Sequence, residues 1–233
     1  MGKIYSTIKK CRISPDKNIK KIIDFGNISL TGVFPKKKNT KIKITPLTLV
    51  FSEESKLLQL KHNYNHKYLF GNNYGYRSSL NKSMIEHLNF KYKYLLKKAN
   101  IKKNDNILDI GSNDGTFLNF FSKSINKTGC DPTANKFKKN YQKGTKILPK
   151  IFDNKSLKFF KNKKFKLVTS IAMFYDLKNP LIFCKLVEKI LNKNGIFHVE
   201  IAYLPDIIST LSFDTFCQEH LTYFSFTSFN YLI

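Results

Sequence analysis

The chain changes rhythm near residue 105. Beyond it, short apolar runs alternate with longer amphipathic stretches. Asn106–Ile110, Lys127–Asp131, Lys146–Leu148, Lys166–Ile171 and Gly195–Ile201 read as strands. The first of these is apolar in the way a parallel strand covered on both faces must be. Phe117–Ser124, Asn135–Lys143 and Pro180–Asn192 read as helices, with Pro180 suited to a first turn. Strands and helices in alternation predict a parallel sheet with right-handed crossovers. Upstream, residues 80–99 read as a helix, because Met84, Leu88, Tyr92 and Leu95 recur every three to four positions. Residues 1–65 hold short β-type runs, Ile22–Gly26, Ile42–Pro46 and Leu47–Phe51, punctuated by Gly and Pro. Between these regions, Tyr68–Ser79 is too irregular for a regular element and too aromatic for a plain linker. The predicted organisation is a small β-rich module (1–65), an aromatic linker with a helix (66–104), and a Rossmann-like α/β domain with an incomplete sheet (105–233).

Composition changes this picture little. Of 233 residues, 42% are hydrophobic, enough for a real core, and neither a signal peptide nor a transmembrane span is predicted. Cys11, Cys130, Cys184 and Cys217 are scattered, which fits a reducing, cytoplasmic setting better than a disulfide framework. The net charge of +25 invites a nucleic-acid reading. Against it, 39 of the 41 basic residues are lysine, spread along the whole chain, and only Arg12 and Arg77 are arginine. Arginine is the residue that reads phosphate and guanine in a bidentate way. Abundant Lys, Asn, Ile and Phe together point instead to an A/T-rich coding bias.

The run Ile107–Leu118 carries the clearest chemistry. A buried strand ends in Asp109. A turn with Gly111, Ser112, Asn113, Asp114 and Gly115 follows, and then a helix start. Glycines there allow a tight turn and close approach of a ligand to the backbone. The spacing is Gly-x-x-x-Gly, not the Gly-x-Gly-x-x-Gly of dinucleotide sites. Aspartates framing a helix start would repel a pyrophosphate but welcome a ligand with an ammonium and a sulfonium. S-adenosylmethionine is such a ligand. Asp131 ends the next strand, 22 residues after Asp109, where an acid can accept both ribose hydroxyls of an adenosine.

With these residues in view, the chain resembles the bacterial S-adenosylmethionine-dependent sugar C-methyltransferases, which act on nucleotide-linked keto-sugars. The resemblance rests on Leu30–Lys36, Leu57–Leu60, Tyr74–Ser79, Asp109–Gly115, Phe174–Leu177, Glu200–Leu204 and Phe213–Ser225. It implies a zinc-binding N-terminal module, a methyltransferase domain and a further C-terminal domain. It also implies that His220 is the base, with Glu219 its neighbour. Tyr74 and Tyr76 would bring hydroxyls to the keto-sugar, Tyr76 among the catalytic groups. Arg77 would pair with the diphosphate, and Ser78 and Tyr203 would add to the substrate site. Methylating a carbon beside a ketone requires removal of a weakly acidic proton, and histidine titrates in the right range to take it.

Three departures from the family shape the expectations. The zinc positions read Cys11-Arg-Ile-Ser14 and Ser52-Glu-Glu-Ser55, and serine is a poor zinc ligand, so no metal is expected. The usual His-Glu-His is Gln218-Glu219-His220, while Cys217 and Asp176 stand where many relatives carry tyrosine and histidine. The chain stops at Ile233, before the antiparallel pair that normally closes such a sheet. A truncated domain is therefore expected, with an open edge suited to self-association. The leading expectation is a C-methyltransferase of a nucleotide-sugar, cytoplasmic and without a membrane partner. The alternatives are a non-catalytic fragment that binds S-adenosylmethionine or a partner chain, and a basic, nucleic-acid-binding methyltransferase.

Overall fold

The computed structural model describes residues 3–35, 37–70, 74–160 and 163–233. Lys36 and residues 71–73, within two of the segments singled out above, lie outside the described residues. In chain order the elements are β1 (Tyr5–Thr7), β2 (Ile19–Ser29), β3 (Ile44–Ser52), β4 (Leu57–Leu60), β5 (His62–Tyr64), α1 (His66–Leu69) and α2 (Lys82–Lys98). There follow β6 (Asn106–Ile110), α3 (Thr116–Asn119), β7 (Asn126–Cys130), β8 (Lys146–Leu148), α4 (Leu157–Phe160), β9 (Phe165–Ile171), α5 (Pro180–Ile190), β10 (Leu191–Glu200), α6 (Leu204–Ser209), β11 (Thr222–Tyr223) and α7 (Phe226–Leu232). Among the described residues no helix is long and apolar enough to cross a membrane.

These elements form two compact units that do not follow sequence order. The first unit comprises residues 1–75, 174–181 and 201–233, and the second comprises residues 76–173 and 182–200. Residues 201–233 therefore belong with the N-terminal module, whereas the sequence reading had grouped them with the α/β domain.

The second unit is built on a five-stranded parallel sheet of order β10-β9-β6-β7-β8. Its middle strands are buried on both faces through Ile107, Leu108, Leu167 and Val168, as parallel sheets require. The Asn81 side chain caps α2 by accepting from the Ser83 N–H. Leu88 and Leu95 of α2 pack with Phe117, Leu118, Phe121 and Ile125. Replacing Leu95 by alanine would cost about 2–5 kcal/mol. β10 is the terminal strand of this sheet.

Three expected helices are shorter here. The Phe117–Ser124 helix ends at Asn119. The Ser122 hydroxyl accepts from the Ser124 N–H, a local bond that competes with helix continuation. Asn135–Lys143 shrinks to one 3-10 turn, Lys138–Asn140. There the chain instead sends the Tyr141 ring under the glycine loop, and tertiary packing overrides propensity. The Pro180–Asn192 helix stops at Ile190 and passes directly into β10.

The first unit holds an antiparallel sheet of order β11-β4-β3-β2 and a separate β1–β5 pair. The two expected strands 42–46 and 47–51 are one strand, β3. Pro46 faces Asn27 where the β2 register shifts between Asp24 and Asn27, and a bulge is where a sheet tolerates proline. The core joins Leu47, Leu49, Leu58, Leu60 and Tyr64 with Leu204, Ile207, Leu221 and Tyr223. Buried Arg12 braces this unit. Its guanidinium donates to the carbonyls of Leu60 at 2.6 Å and His62 at 3.0 Å, and to the side chains of Gln59 and Asn63.

Candidate functional site

In the second unit, the turn after β6 takes left-handed backbone at Gly111 (φ 81°), Asn113 (φ 48°) and Gly115 (φ 79°). A side chain at Gly115 would strike the Tyr141 ring. That ring plugs the loop from below: its hydroxyl bonds Ser112 Oγ and donates to the Asn113 carbonyl, each at 2.8 Å. The glycine thus admits a brace that fixes the loop's shape.

Three acids serve this loop differently. Asp131 accepts from the Asn113 N–H at 2.9 Å and from Thr133 N–H and Oγ1, each at 2.6 Å. Asp114 is fully buried and accepts from Thr116 N–H and Oγ1, while its other oxygen accepts from the Ser79 N–H at 3.1 Å. Burial raises the Asp114 carboxyl, but these bonds outweigh it and hold it below the ordinary range. Asp109 accepts from Thr169 Oγ1 at 2.6 Å. Its burial, aided by the nearby Asp131 charge, pushes it up to about 7 despite that bond. A buried acid beside another acid suits a cationic ligand, which would restore the charge.

The second unit also gathers part of the expected substrate segment around the loop. Asn113 accepts from the Ser78 N–H at 3.0 Å and donates to the Tyr76 carbonyl at 3.2 Å. Arg77 lies 3.7 Å from Asp114, bonds Ser79 Oγ, and sits over the Phe137 ring. The Tyr76 side chain is exposed. At the end of β10, Glu200 is paired with His87 at 2.8 Å and Lys91 at 2.7 Å. Burial raises this carboxyl, and the bonds from Lys91 and His87 more than offset it.

In the first unit, Cys217–His220 lies on the approach to β11. His220 Nδ1 is 2.9 Å from the Thr215 carbonyl oxygen. A carbonyl only accepts, so Nδ1 carries the hydrogen, and in that neutral tautomer Nε2 is the nitrogen with the lone pair. The Tyr175 ring meets the imidazole edge-on at 4.5 Å. Gln218 is fully buried and every polar group it has is engaged: Oε1 accepts from Thr31 N–H and Oγ1, and Nε2 donates to the Ser29 carbonyl and Thr45 Oγ1. It is a structural tie to the β2 and β3 strands. Glu219 Oε1 is buried without a hydrogen-bond partner, and so is Asp176 Oδ1. Burial pushes both carboxyls up, against the pull of His220. The Glu219 carboxylate lies over Gly32 (φ 71°), in the space a side chain there would fill. Donor atoms of Cys217, Glu219 and His220 all lie within 4.8 Å of one another. Tyr74 bridges Val33 of the same unit, and Tyr203, on the other flank, bridges Phe224 and caps α6.

Sequence reasoning expects Tyr74, Tyr76, Arg77, Ser78 and Tyr203 together at the substrate; the structure sets residues 76–78 beside the loop, while Tyr74 and Tyr203 belong to the other unit. It gave no role to Tyr141 or Thr169. Neither is marked by spacing, and only the fold brings them to the loop.

Residues 80–232 match the model for the "Methyltransferase domain", and residues 11–70 match the "Putative zinc binding domain". The curated C-methyltransferase NovU of Streptomyces niveus is 25% identical over 233 residues, 98% of this chain and 55% of that protein. The chain therefore spans about half the length of that relative. Among solved structures, the plantazolicin methyltransferase BpumL, in complex with a desmethylated plantazolicin analogue and S-adenosylhomocysteine, aligns over 64% of this chain and 54% of its own at 18% identity and a TM-score of 0.43. Coclaurine N-methyltransferase aligns over 67% and 49% at 14% identity and a TM-score of 0.48. Within residues 11–70 the one thiol is Cys11, and the other positions expected to hold zinc carry the hydroxyls of Ser14, Ser52 and Ser55, which do not ionise as thiols do. With the domain model covering most of its length over a five-stranded parallel sheet and a braced glycine loop, the chain belongs to the methyltransferase-domain family.

Proposed function

We propose that this chain is an S-adenosylmethionine-dependent C-methyltransferase acting on a nucleotide-linked keto-sugar. The observation that carries the reading is the His220 tautomer, with Nδ1–H engaged by Thr215 and Nε2 left as a base. The 25% identity to a C-methyltransferase across nearly the whole chain supports a carbon acceptor.

When bound, S-adenosylmethionine supplies a methyl group on a positively charged sulfur. Asp109 and Asp114 frame the loop that would receive its cationic end, with Gly111, Ser112, Asn113 and Gly115 as the backbone of that loop. Asp131 would take its ribose. The Asp109 carboxyl, pushed up to about 7 by burial, is fitted to a cationic partner. His220 Nε2 would take the proton from the carbon beside the ketone and leave the electron pair on the substrate as an enolate; that carbon would receive the methyl that bound S-adenosylmethionine would supply, its sulfur–methyl bond breaking to leave S-adenosylhomocysteine. Glu219, adjacent and unpartnered at Oε1, stabilises the imidazolium so formed. Tyr74, Tyr76, Arg77, Ser78 and Tyr203 hold the sugar nucleotide. All four cysteines are free, which supports a cytoplasmic setting.

A second reading, donor binding without turnover, is favoured by Gln218, whose bonds are all structural and which cannot carry a proton. One experiment separates the two. The chain is incubated in heavy water with a deoxythymidine-diphosphate keto-sugar, and deuterium at the carbon beside the ketone is followed, with and without donor. Exchange and methylation are expected, both reduced about 10²–10⁴-fold in His220→Ala while S-adenosylhomocysteine binding persists. Methylation that survives His220→Ala removes His220 as the base. Donor binding with no exchange in the unaltered chain establishes the second reading.

A further inference from the structure

A structural zinc holds two loops together through four ionised or imidazole ligands. Among the described residues, no group of three or more His, Cys, Asp or Glu donors gathers around Cys11. Yet the positions have not dispersed. Cys11 and Ser14 lie on the segment before β2, and Ser52 and Ser55 on the turn between β3 and β4. Cys11 Sγ and Ser55 Oγ are 3.2 Å apart, across 44 residues of chain. Ser55 N–H donates to Ser52 Oγ, and Ser52 Oγ donates to Asp16 Oδ2 at 2.7 Å. Asp16 returns to the first segment, its N–H donating to Ser14 Oγ and its carbonyl accepting from the Cys11 N–H at 2.8 Å. Cys11, Ser14, Ser52 and Ser55 are all buried.

We propose that hydrogen bonds among Cys11, Ser14, Asp16, Ser52 and Ser55 close the two loops that a zinc ion would otherwise cross-link, and that the positions still converge closely enough for three Ser→Cys substitutions to create a zinc site.

The chemistry of the group explains how it does without a cation. Four thiolates in one buried spot repel one another and need a metal to neutralise them. Neutral hydroxyls each donate and accept, so Ser14, Ser52 and Ser55 add no charge, and the one carboxylate, Asp16, accepts from Ser52 Oγ and the Asn18 N–H. The one thiol sits in the same network: burial raises it, and bonds from Ser55, Ile13, Ser14 and Gln59 outweigh that. Arg12, buried next in sequence, supplies positive charge that would also favour thiolates introduced beside it.

The test is made on the chain expressed with added zinc. Metal is measured by mass spectrometry, and thermal unfolding is followed with and without a chelator. The unaltered chain is expected to carry less than about one zinc per ten molecules, negligible for a site whose folding is coupled to the metal, and to melt identically in both conditions. Ser55→Ala is expected to lower its melting temperature by about 2–4 °C, again with no response to zinc. The Ser14→Cys/Ser52→Cys/Ser55→Cys variant is expected to retain one zinc per molecule, to show the visible absorption of tetrahedral cobalt thiolate when cobalt is substituted, and to lose melting temperature on chelation. Stoichiometric zinc or chelator-sensitive melting in the unaltered chain overturns the metal-free network. A triple variant that takes up neither metal, whether folded or not, overturns the convergence.

Discussion

The acids of the glycine loop are buried and those around His220 are half-buried, and Asp114 of the first group is treated in the opposite way to the second. Asp114 receives hydrogen bonds from Ser79 and Thr116, and its carboxyl is held low. Asp176 and Glu219 each keep a buried oxygen without a partner, and their carboxyls are pushed up. An acid that the chain satisfies is scaffold. A buried acid left unsatisfied costs stability, and a fold keeps such a cost where a ligand or a reaction offsets it. Asp109 lies between these cases, with one strong bond from Thr169 and a carboxyl near 7.

That contrast can be broken by substitution. The largest effect is expected at Asp114→Ala, which removes the bonds to Thr116 and the tie to residues 77–79: a loss of about 2–4 kcal/mol in denaturant unfolding. A loss under about 0.5 kcal/mol would mean that Asp114 is not scaffold. Gln218→Ala removes four buried bonds and is expected to cost about 2–3 kcal/mol. A histidine there, Gln218→His, tests the other role. If it raises methyl transfer without a stability gain, the position belongs to the proton path.

Asp109 gives the pH test. Its folded pKa is raised, so ionising it in the free protein works against stability, beginning above its unfolded value near 4 and complete above about 7. A cationic ligand binds the ionised form. Affinity for S-adenosylhomocysteine should therefore weaken as pH falls below about 7, by up to about tenfold per pH unit. Asp109→Asn should flatten that dependence, as isothermal titration at several pH values would show. An unchanged slope would remove Asp109 from the donor site.

The smallest effect is expected at Asp176→Asn. It removes a raised acid, so it should stabilise the protein by about 1 kcal/mol at pH 8, with the gain fading as the pH falls and the native carboxyl becomes neutral in both states. Destabilisation at pH 8 would show that Asp176 is satisfied after all.

Local pattern revealed most of the second unit. Asn106–Ile110 and Phe165–Ile171 are strands because their apolar runs suit a sheet covered on both sides, and α2 carries its own cap and periodicity. The candidate loop was legible for the same reason: glycines and acids mark a turn whatever surrounds it. Local pattern failed where long-range contacts outweighed it. Asn135–Lys143 has helix-forming lysines, but its Tyr141 is drawn to the glycine loop, where its hydroxyl bonds Ser112 and Asn113. Pro46 reads as a strand break, and only the register shift in β2 lets it sit within β3.

The sequence by itself determined the βαβ order, the braced turn's glycines and acids, and the shortage of thiols at residues 11–55, because each depends on residue type and neighbours alone. Tertiary packing sets which unit residues 201–233 join, ties Gln218 to Ser29, Thr31 and Thr45, sets the Thr215 carbonyl against His220 Nδ1, and brings Ser55 to Cys11. Each of these depends on partners distant in the chain, and a hydrogen bond across 44 residues leaves no periodicity to read.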